Sequence, residues 1–286
     1  MRRYVSEATE RWEGFEHRSG DIVISTRSKC GTTWMQMICL TLIHGTPLPA
    51  PLSLLSPWVD WDIEPTGAVH ERLAGQDYRR VIKTHTPLAG IPLSDDVRYI
   101  VVGRHPLDVA VSMYHHVGNL DQVRSAQLRD RPPTEADRGT LDEWVDAWTC
   151  DTRPPQEALD TLAGNVHHIT DALQRREGGN VLLVHFDELV KGREVTTRRI
   201  AAWLGIEANE ARWADVVAAT SFESMSADPA RTVPDHLGIL KDPAAFFRSG
   251  SVGDGLRSLA PETVGRYDRR LASIASPRVI GWLHQT

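Results

Sequence analysis

The sequence predicts an α/β fold of three layers, in which helices cover both faces of a central, mostly parallel β-sheet. Short runs rich in valine and isoleucine, each followed by a segment of helical character, indicate this class. Such runs occur at 21–25, 99–103 and 181–186, and a fourth strand is expected at 80–84. Helices are expected at 32–44, 107–116, 162–175, 195–204 and 261–275.

The first strand is followed by a loop, 25–34, that has the properties of a phosphate-binding loop. The N–H groups at a helix start have no partners within the helix, and the helix dipole adds positive potential there. Gly31 permits a close approach of a phosphate to the main chain, and Lys29 adds a full positive charge. Because Lys29 precedes the glycine, the loop is not the strict nucleotide triphosphate motif. An ordinary strand-to-helix turn is the competing interpretation.

Charged side chains follow the next two strands as well. Lys29, His85 and Arg104 each lie at the carboxyl end of an expected strand. Ligands of open parallel sheets bind beyond these ends, where the connecting loops converge. The strand pattern alone therefore predicts that these three residues meet at one site.

Composition limits the class of protein. The chain has 286 residues, 41% hydrophobic and 24% charged, with a formal net charge of −6. We expect one globular domain over 1–286, because motifs from both ends of the chain interleave. An acidic chain is not expected to bind nucleic acid.

Location and metal content follow from other features of the composition. No apolar run approaches the ~20 residues that span a bilayer, and the first twenty residues lack the apolar core of a secretory signal. A cytoplasmic protein is expected, in keeping with three cysteines that form no disulfide pattern. No metal site is expected, since the histidine pairs lack ligand spacing. The oligomeric state stays open.

Six short motifs spread over most of the chain resemble those of one family. They are Lys29-Cys30-Gly31-Thr32-Thr33-Trp34, Val81-Ile82-Lys83-Thr84-His85, the segment 99–112 with Arg104 and Ser112, Phe186-Asp187-Glu188, Thr220-Ser221-Phe222, and Phe247-Arg248-Ser249-Gly250. Together they resemble the soluble, cytosolic-type sulfotransferases, which use 3′-phosphoadenosine 5′-phosphosulfate (PAPS) as sulfuryl donor. Their joint occurrence in the family's order is far more specific than any single motif.

The resemblance implies a role for each matching residue. His85 is implied as the general base, Lys29 as the partner of the bridging oxygen that leaves with the 5′-phosphate, and Lys83 as the partner of the sulfuryl oxygens. Cofactor binding is implied for Lys29, Cys30, Gly31, Thr32, Thr33, Trp34, Arg104, Ser112, Phe186, Thr220, Phe222, Phe247, Arg248, Ser249 and Gly250. Among these, the 3′-phosphate is assigned to Arg104, Ser112 and the loop 247–250, and the adenine to the aromatic residues and Thr220. Sulfuryl transfer requires no metal if lysines supply the charge.

The chain also departs from the family pattern. Ser28 stands where the family usually has proline, Cys30 where it has serine and Ser249 where it has lysine, and the Trp-Lys that commonly follows Gly-Asp is missing after Asp254. The last two departures put the loop over the 3′-phosphate in doubt. A thiol beside Lys29 at a helix start is expected to ionise readily and to react faster than Cys39, with an inert packing role as the alternative.

Two other functions compete with a sulfotransferase. A phosphate-loop kinase would need the Gly-Lys-Ser/Thr sequence that is absent here, and a non-catalytic regulator that binds adenosine 3′,5′-bisphosphate (PAP) would not need a base. The acceptor is left as a small-molecule, phenolic or glycolipid hydroxyl. We expect segments 45–75 and 118–160 to form its pocket. We also expect 118–160 to be a mobile insertion near the acceptor.

Overall fold

The computed structural model describes residues 1–133 and 137–285. Its sheet has four strands, β1 (Ile22–Thr26), β2 (Val81–Thr84), β3 (Arg98–Gly103) and β4 (Val181–His185), in the order β2-β1-β3-β4. All three pairings are parallel, with Ile22 opposite both Val81 and Arg98. The predicted α/β class is confirmed, and each strand lies within a residue or two of its expected place.

Helices connect and flank these strands. In chain order they are α1 (Thr32–His44), α2 (Leu52–Leu55), α3 (Thr66–Ala74), α4 (Pro106–Asn119), α5 (Gln122–Leu128), α6 (Leu141–Cys150), α7 (Leu162–Arg175), α8 (Phe186–Leu204), α9 (Glu210–Ala219), α10 (Phe222–Ala227), α11 (Pro229–Thr232), α12 (Asp254–Ser258), α13 (Pro261–Ile274) and α14 (Pro277–His284). Phe186 was expected to end a strand but instead begins α8, where His185 caps the helix by accepting from the backbone N–H of Asp187.

The sheet separates two hydrophobic cores, which makes the fold three-layered. Alternate residues of each strand point to opposite faces. Ile22 and Ile24 pack with α1, α8 and α9, whereas Val23 packs on the opposite side with α4, α6, α7 and α13. Every residue of β1 is buried, as is typical of a central parallel strand covered on both faces.

The segment 118–160 is more regular than the expected insertion. It contains α5 and the ten residues of α6, a helix that begins with a capping box between Thr140 and Glu143. Val145 and Trp148 of α6 are buried in the core, so this polar stretch is anchored by a few apolar side chains. Residues 134–136 lie outside the described part of the chain.

Among the described residues, no helix is both long enough and apolar enough to cross a membrane.

Candidate active site

A cavity lies at the carboxyl ends of the strands and collects most of the residues predicted from the motifs. Its lining includes Lys29, Gly31, Thr32, Thr33, Trp34, Lys83, His85, Arg104, Ser112, Phe186, Phe222, Phe247, Arg248, Ser249 and Gly250. Cys30 and Thr220, which were also predicted to bind the cofactor, do not line it. Parallel pairing explains the convergence, since it places the ends of β1, β2 and β3 at one edge of the sheet.

The loop between β1 and α1 requires an unusual backbone. Lys29 has φ +64° and Gly31 has φ +106°, and Gly31 is the residue that precedes the first turn of α1. A Cβ atom at position 31 would lie 2.9 Å from the ring of Phe186. Both the positive φ and this close approach require glycine, so the loop presents its backbone to the cavity next to an aromatic ring.

Two lysine amines project into the cavity without a carboxylate partner among the described residues. The Nζ atom of Lys83 lies 3.6 Å from the ring centroid of Trp58, and that of Lys29 lies 4.2 Å from the ring centroid of Phe246. Burial lowers the pKa of Lys29 to about 7, with further lowering by Arg104. Burial likewise lowers the pKa of Lys83 to about 7. These amines are therefore poised to gain a proton when an anion enters.

The imidazole of His85 is oriented by the strand beside it. Its Nδ1 lies 2.6 Å from the carbonyl oxygen of Thr26 and must donate to it. The Nε2 atom then carries the lone pair. Burial, together with the positive charge of Lys83, holds the pKa of His85 well below its ordinary value. The imidazole is thus neutral at pH 7 and has the form that a general base requires.

A buried carboxylate that the sequence analysis did not identify fixes the end of β2. Asp60 is 3% exposed and accepts hydrogen bonds from the hydroxyls of Thr84 and Thr86, from the backbone N–H of Thr86 at 3.1 Å and from Trp58 Nε1 at 2.6 Å. His85 lies between the two threonines. The only sequence signal was the Trp-Val-Asp-Trp run, which gives no hint of these partners.

A second unanticipated element holds His85 from the other side. The buried guanidinium of Arg27 donates to the carbonyl oxygen of His85. The same group pairs with Glu7 at 2.9 Å and with Asp160 at 2.6 Å. Segments far apart in the chain therefore converge on the backbone of the histidine, and the carboxylates leave the Arg27 charge compensated.

The opposite end of the cavity carries Arg104. Its guanidinium lies 4.2 Å from the ring centroid of Phe186 and donates to the carbonyl oxygen of Ser251 at 2.9 Å. Asp108 lies 3.8 Å from its Nε, which makes no hydrogen bond within the described residues. Arg104 is thus buried yet incompletely partnered, with Ser112 lining the cavity two turns along α4.

The loop after Phe247 is fastened by two aspartates that the motifs did not single out. Asp254 accepts from Arg248 at 2.5 Å and from the Ser249 hydroxyl at 2.8 Å. Asp108 accepts from the backbone N–H groups of Gly253 and Gly255 at 2.8 and 2.7 Å. The loop is therefore tied to α4 despite the missing Trp-Lys.

Aromatic rings surround the region between these ends. The rings of Trp34 and Phe186 meet edge to face with centroids 5.5 Å apart, and those of Phe222 and Phe247 meet at 6.0 Å. Thr220 contributes only through its carbonyl oxygen, which accepts from Trp34 Nε1 at 2.9 Å. Its side chain does not reach the cavity, because the buried hydroxyl donates back to the carbonyl oxygen of Val216 in α9.

For Cys30 the structure favours the alternative of an inert packing role over a reactive thiol. The thiol is 2% exposed and lies 3.8 Å from Asn165 Oδ1, on the side of the loop away from the cavity. Burial raises its pKa to about 12. The side chains of Lys29 and Cys30 point to opposite sides of the turn, so neighbours in sequence have opposite environments.

The remainder of the cavity has an apolar wall. It is lined by Trp58, Trp61, Met225, Pro234, Ile239, Leu240 and Phe246, together with His116. The two tryptophans come from the expected segment 45–75 and stack with centroids 5.2 Å apart. The described residues of 118–160 contribute nothing to the lining. Its place is taken by 225–246, which Leu120 joins through a bridge to Leu240.

Residues 19–275 match the model of the sulfotransferase domain. The chain belongs to the sulfotransferase family. The expected enzyme class is confirmed, and the kinase alternative is set aside with it. Sulfotransferase relatives include a glycolipid sulfotransferase of Mycobacterium bovis, 34% identical over 96% of this chain and 91% of its own length. The corresponding protein of Mycobacterium tuberculosis is 33% identical over the same shares.

Solved sulfotransferase-fold structures superpose along nearly the whole chain. A mouse sulfotransferase complexed with PAP has a TM-score of 0.73 at 22% identity, covering 98% of this chain and 94% of that one. Retinol dehydratase in complex with androsterone and PAP has a TM-score of 0.73 at 20% identity, covering 95% and 84%. At these identities the likeness concerns the fold. In the part of the chain that the structure describes, no three histidine, cysteine or acidic side chains are grouped as metal ligands would be.

Proposed function

We propose that this sulfotransferase moves the sulfuryl group of PAPS to a hydroxyl of a glycolipid, with His85 as general base. The observation that carries the proposal is the convergence of Lys29, Lys83 and a neutral His85 in one cavity. Binding a nucleotide alone would not require a base beside two uncompensated lysines. This arrangement favours an enzyme over a non-catalytic regulator.

The donor fits the end of the cavity built by α1 and α4. The backbone of Gly31 and the first turn of α1, with Thr32 and Thr33, would hold the 5′-phosphosulfate. The 3′-phosphate would lie against Arg104, Ser112 and the loop 247–250, where Arg supplies bidentate donors. Adenine would lie among Trp34, Phe186 and Phe222. That solved neighbours are complexed with PAP supports this placement.

The chemical step follows from the positions of the three polar groups. The acceptor oxygen attacks sulfur while its proton passes to His85 Nε2. As the new O–S bond forms, the bond between sulfur and the bridging phosphate oxygen breaks, and PAP leaves. Lys29 would stabilise charge on the departing oxygen and Lys83 charge on the sulfuryl oxygens. No redox partner is involved.

The acceptor class is inferred from the apolar wall. Seven of the eight residues in that part of the lining are apolar or aromatic, so a lipid chain would be removed from water there. The mycobacterial relatives are named glycolipid sulfotransferases. An amphiphile with its hydroxyl at His85 and its chain along Trp61 and Leu240 satisfies both observations.

The test is transfer of label from ³⁵S-PAPS to a lipid extract and to a synthetic alkyl glycoside. Wild-type enzyme should label the glycoside, and His85→Ala should lower kcat by ~10² or more because general-base assistance is lost. The affinity for PAP, measured by calorimetry, should stay unchanged. His115→Ala is the matched control, since His115 is exposed on α4 and does not line the cavity.

Two results would contradict the proposal. If wild-type enzyme transfers no label to any hydroxyl compound, the function is not sulfuryl transfer to an alcohol. If His85→Ala keeps near-normal turnover, the base is another group.

A further inference from the structure

His116 is a polar group in the acceptor part of the cavity with no duty in the proposed chemistry. It lies on α4 one turn after Ser112, so the same helix serves both parts of the cavity. Its ring centroid lies 6.1 Å from that of Phe246, and the Lys29 amine contacts the same phenyl ring. His116 and the Lys29 amine therefore both lie against Phe246 in one cavity.

The hydrogen-bonding capacity of this imidazole is unused. Within the described residues it forms no hydrogen bond, although the cavity histidine His85 is bonded to Thr26. Burial, together with the charges of Lys29 and Lys83, lowers the pKa of His116 to about 3. The ring is thus neutral, with one N–H donor and one nitrogen acceptor.

A neutral imidazole matches a hydroxyl group, which also donates and accepts. A carboxylate, which only accepts, would pair with the N–H but leave the other ring nitrogen without a donor, and a hydrocarbon would leave both nitrogens without a partner. Ser112 and Lys29 are polar lining groups near it, but neither hydrogen-bonds to the ring, and the adjoining wall is apolar. An acceptor without a polar group at this point would therefore leave the imidazole without a hydrogen-bond partner. A second hydroxyl of the acceptor, in the same cavity as the one that is sulfated, would supply that partner.

We propose that His116 selects acceptors with at least two neighbouring hydroxyls, as in a sugar ring, over acceptors with a single hydroxyl. The inference rests on the proposed function and deepens it. His116 is here a specificity-determining residue that contacts the acceptor and takes no part in proton transfer. The apolar wall contacts the lipid chain of the acceptor, and the imidazole of His116 hydrogen-bonds to the sugar.

The experiment compares two acceptors that share one chain, hexyl glucoside and hexanol, with ³⁵S-PAPS as donor. Wild-type enzyme should prefer the glucoside. His116→Phe replaces the ring with one of similar size that cannot hydrogen-bond. It should lower kcat/KM for the glucoside about tenfold or more, in keeping with the loss of a buried hydrogen bond. For hexanol it should leave kcat/KM within about threefold or raise it.

Two further variants separate recognition from structure. His116→Asn retains a donor and an acceptor and should keep the preference for the glucoside. His115→Phe places the same ring on the exposed side of α4 and should change neither acceptor. The affinity for PAP and the melting temperature should match those of the wild type in all three proteins.

The outcomes distinguish this inference from the proposed function. An equal loss with both acceptors, or a loss of PAP affinity in His116→Phe, overturns the role of His116 but leaves the sulfotransferase activity standing. Wild-type turnover of hexanol in preference to the glucoside does the same. If no hydroxyl compound is labelled by the wild type, the proposed function fails and the inference fails with it.

Discussion

Binding of PAP should draw protons from solution because two buried lysines in the cavity are largely neutral when it is empty. The pKa values of Lys29 and Lys83 are both lowered to about 7 by burial and by nearby positive charges. Both amines face the 5′ end of the proposed donor site, so the 5′-phosphate of bound PAP, which carries the oxygen freed by sulfuryl transfer, places negative charge near both and restores pKa values near those of exposed lysine. The amines must then take up the protons that they lack.

The size of the uptake depends on pH. At pH 8 a lysine with a pKa of about 7 is only about one-tenth protonated, so full protonation on binding takes up about 0.9 proton per lysine and about 1.8 in total. At this pH the phosphates are already fully ionised, since their second pKa is about 6. His85 and His116 stay neutral and contribute nothing.

Calorimetric titration with PAP at pH 8 in Tris and in HEPES measures this uptake, because the apparent enthalpy changes with the ionisation enthalpy of the buffer in proportion to the protons taken up. Phosphate buffer is avoided, as it would compete for the site. Lys29→Met and Lys83→Met should each reduce the uptake by about one proton. Lys191→Met, which removes an exposed lysine paired with Asp187, should leave it unchanged.

One result would contradict the predicted proton uptake. If the wild-type enthalpy is the same in both buffers at pH 8, the lysines are already charged in the empty cavity. The account of their environment is then wrong, whatever their role in transfer.

Two other predictions concern single side chains. Arg104→Ala should erase most of the preference for PAP over AMP and ADP, because charged hydrogen bonds contribute roughly 1.5–3 kcal/mol each. Competition binding with the three nucleotides measures this preference. An unchanged preference would place the 3′-phosphate elsewhere. Lys29→Ala should weaken all three and leave the preference in place. Maleimide should modify the exposed Cys150 quickly and Cys30 only on unfolding; mass spectrometry that finds equal rates in the folded protein would show that the thiol reaches the cavity.

The strands, the first helix and the loop 29–34 could be derived from the sequence because their signals are local. Runs of valine and isoleucine and the helical pattern of 32–44 identify the βα units, and α1 occupies the expected residues. The carboxyl ends of parallel strands meet by geometry, so the convergence of Lys29, His85 and Arg104 also followed. The sulfotransferase resemblance then rested on short motifs, most of whose residues the chain keeps.

Only the tertiary structure revealed which groups hold those motifs in place. Asp108 fastens a loop 145 residues away at Gly253, and Trp34 is held by a carbonyl 186 residues away at Thr220. The sequence around a single aspartate does not indicate its hydrogen-bond partner, because the packing of distant segments determines which groups come within reach. The direction in which a side chain of a turn points cannot be derived from the sequence either.

The acceptor region shows the same division most clearly. The sequence determined the sulfotransferase family and predicted a cofactor loop and a base, since each is a short run with its own chemistry. Only the fold brought His116 and the segment 225–246 against the tryptophans of 45–75. The proposed acceptor pocket forms where segments distant in the chain meet. Burial and sheet order decide which segments meet, and no local sequence pattern contains that information.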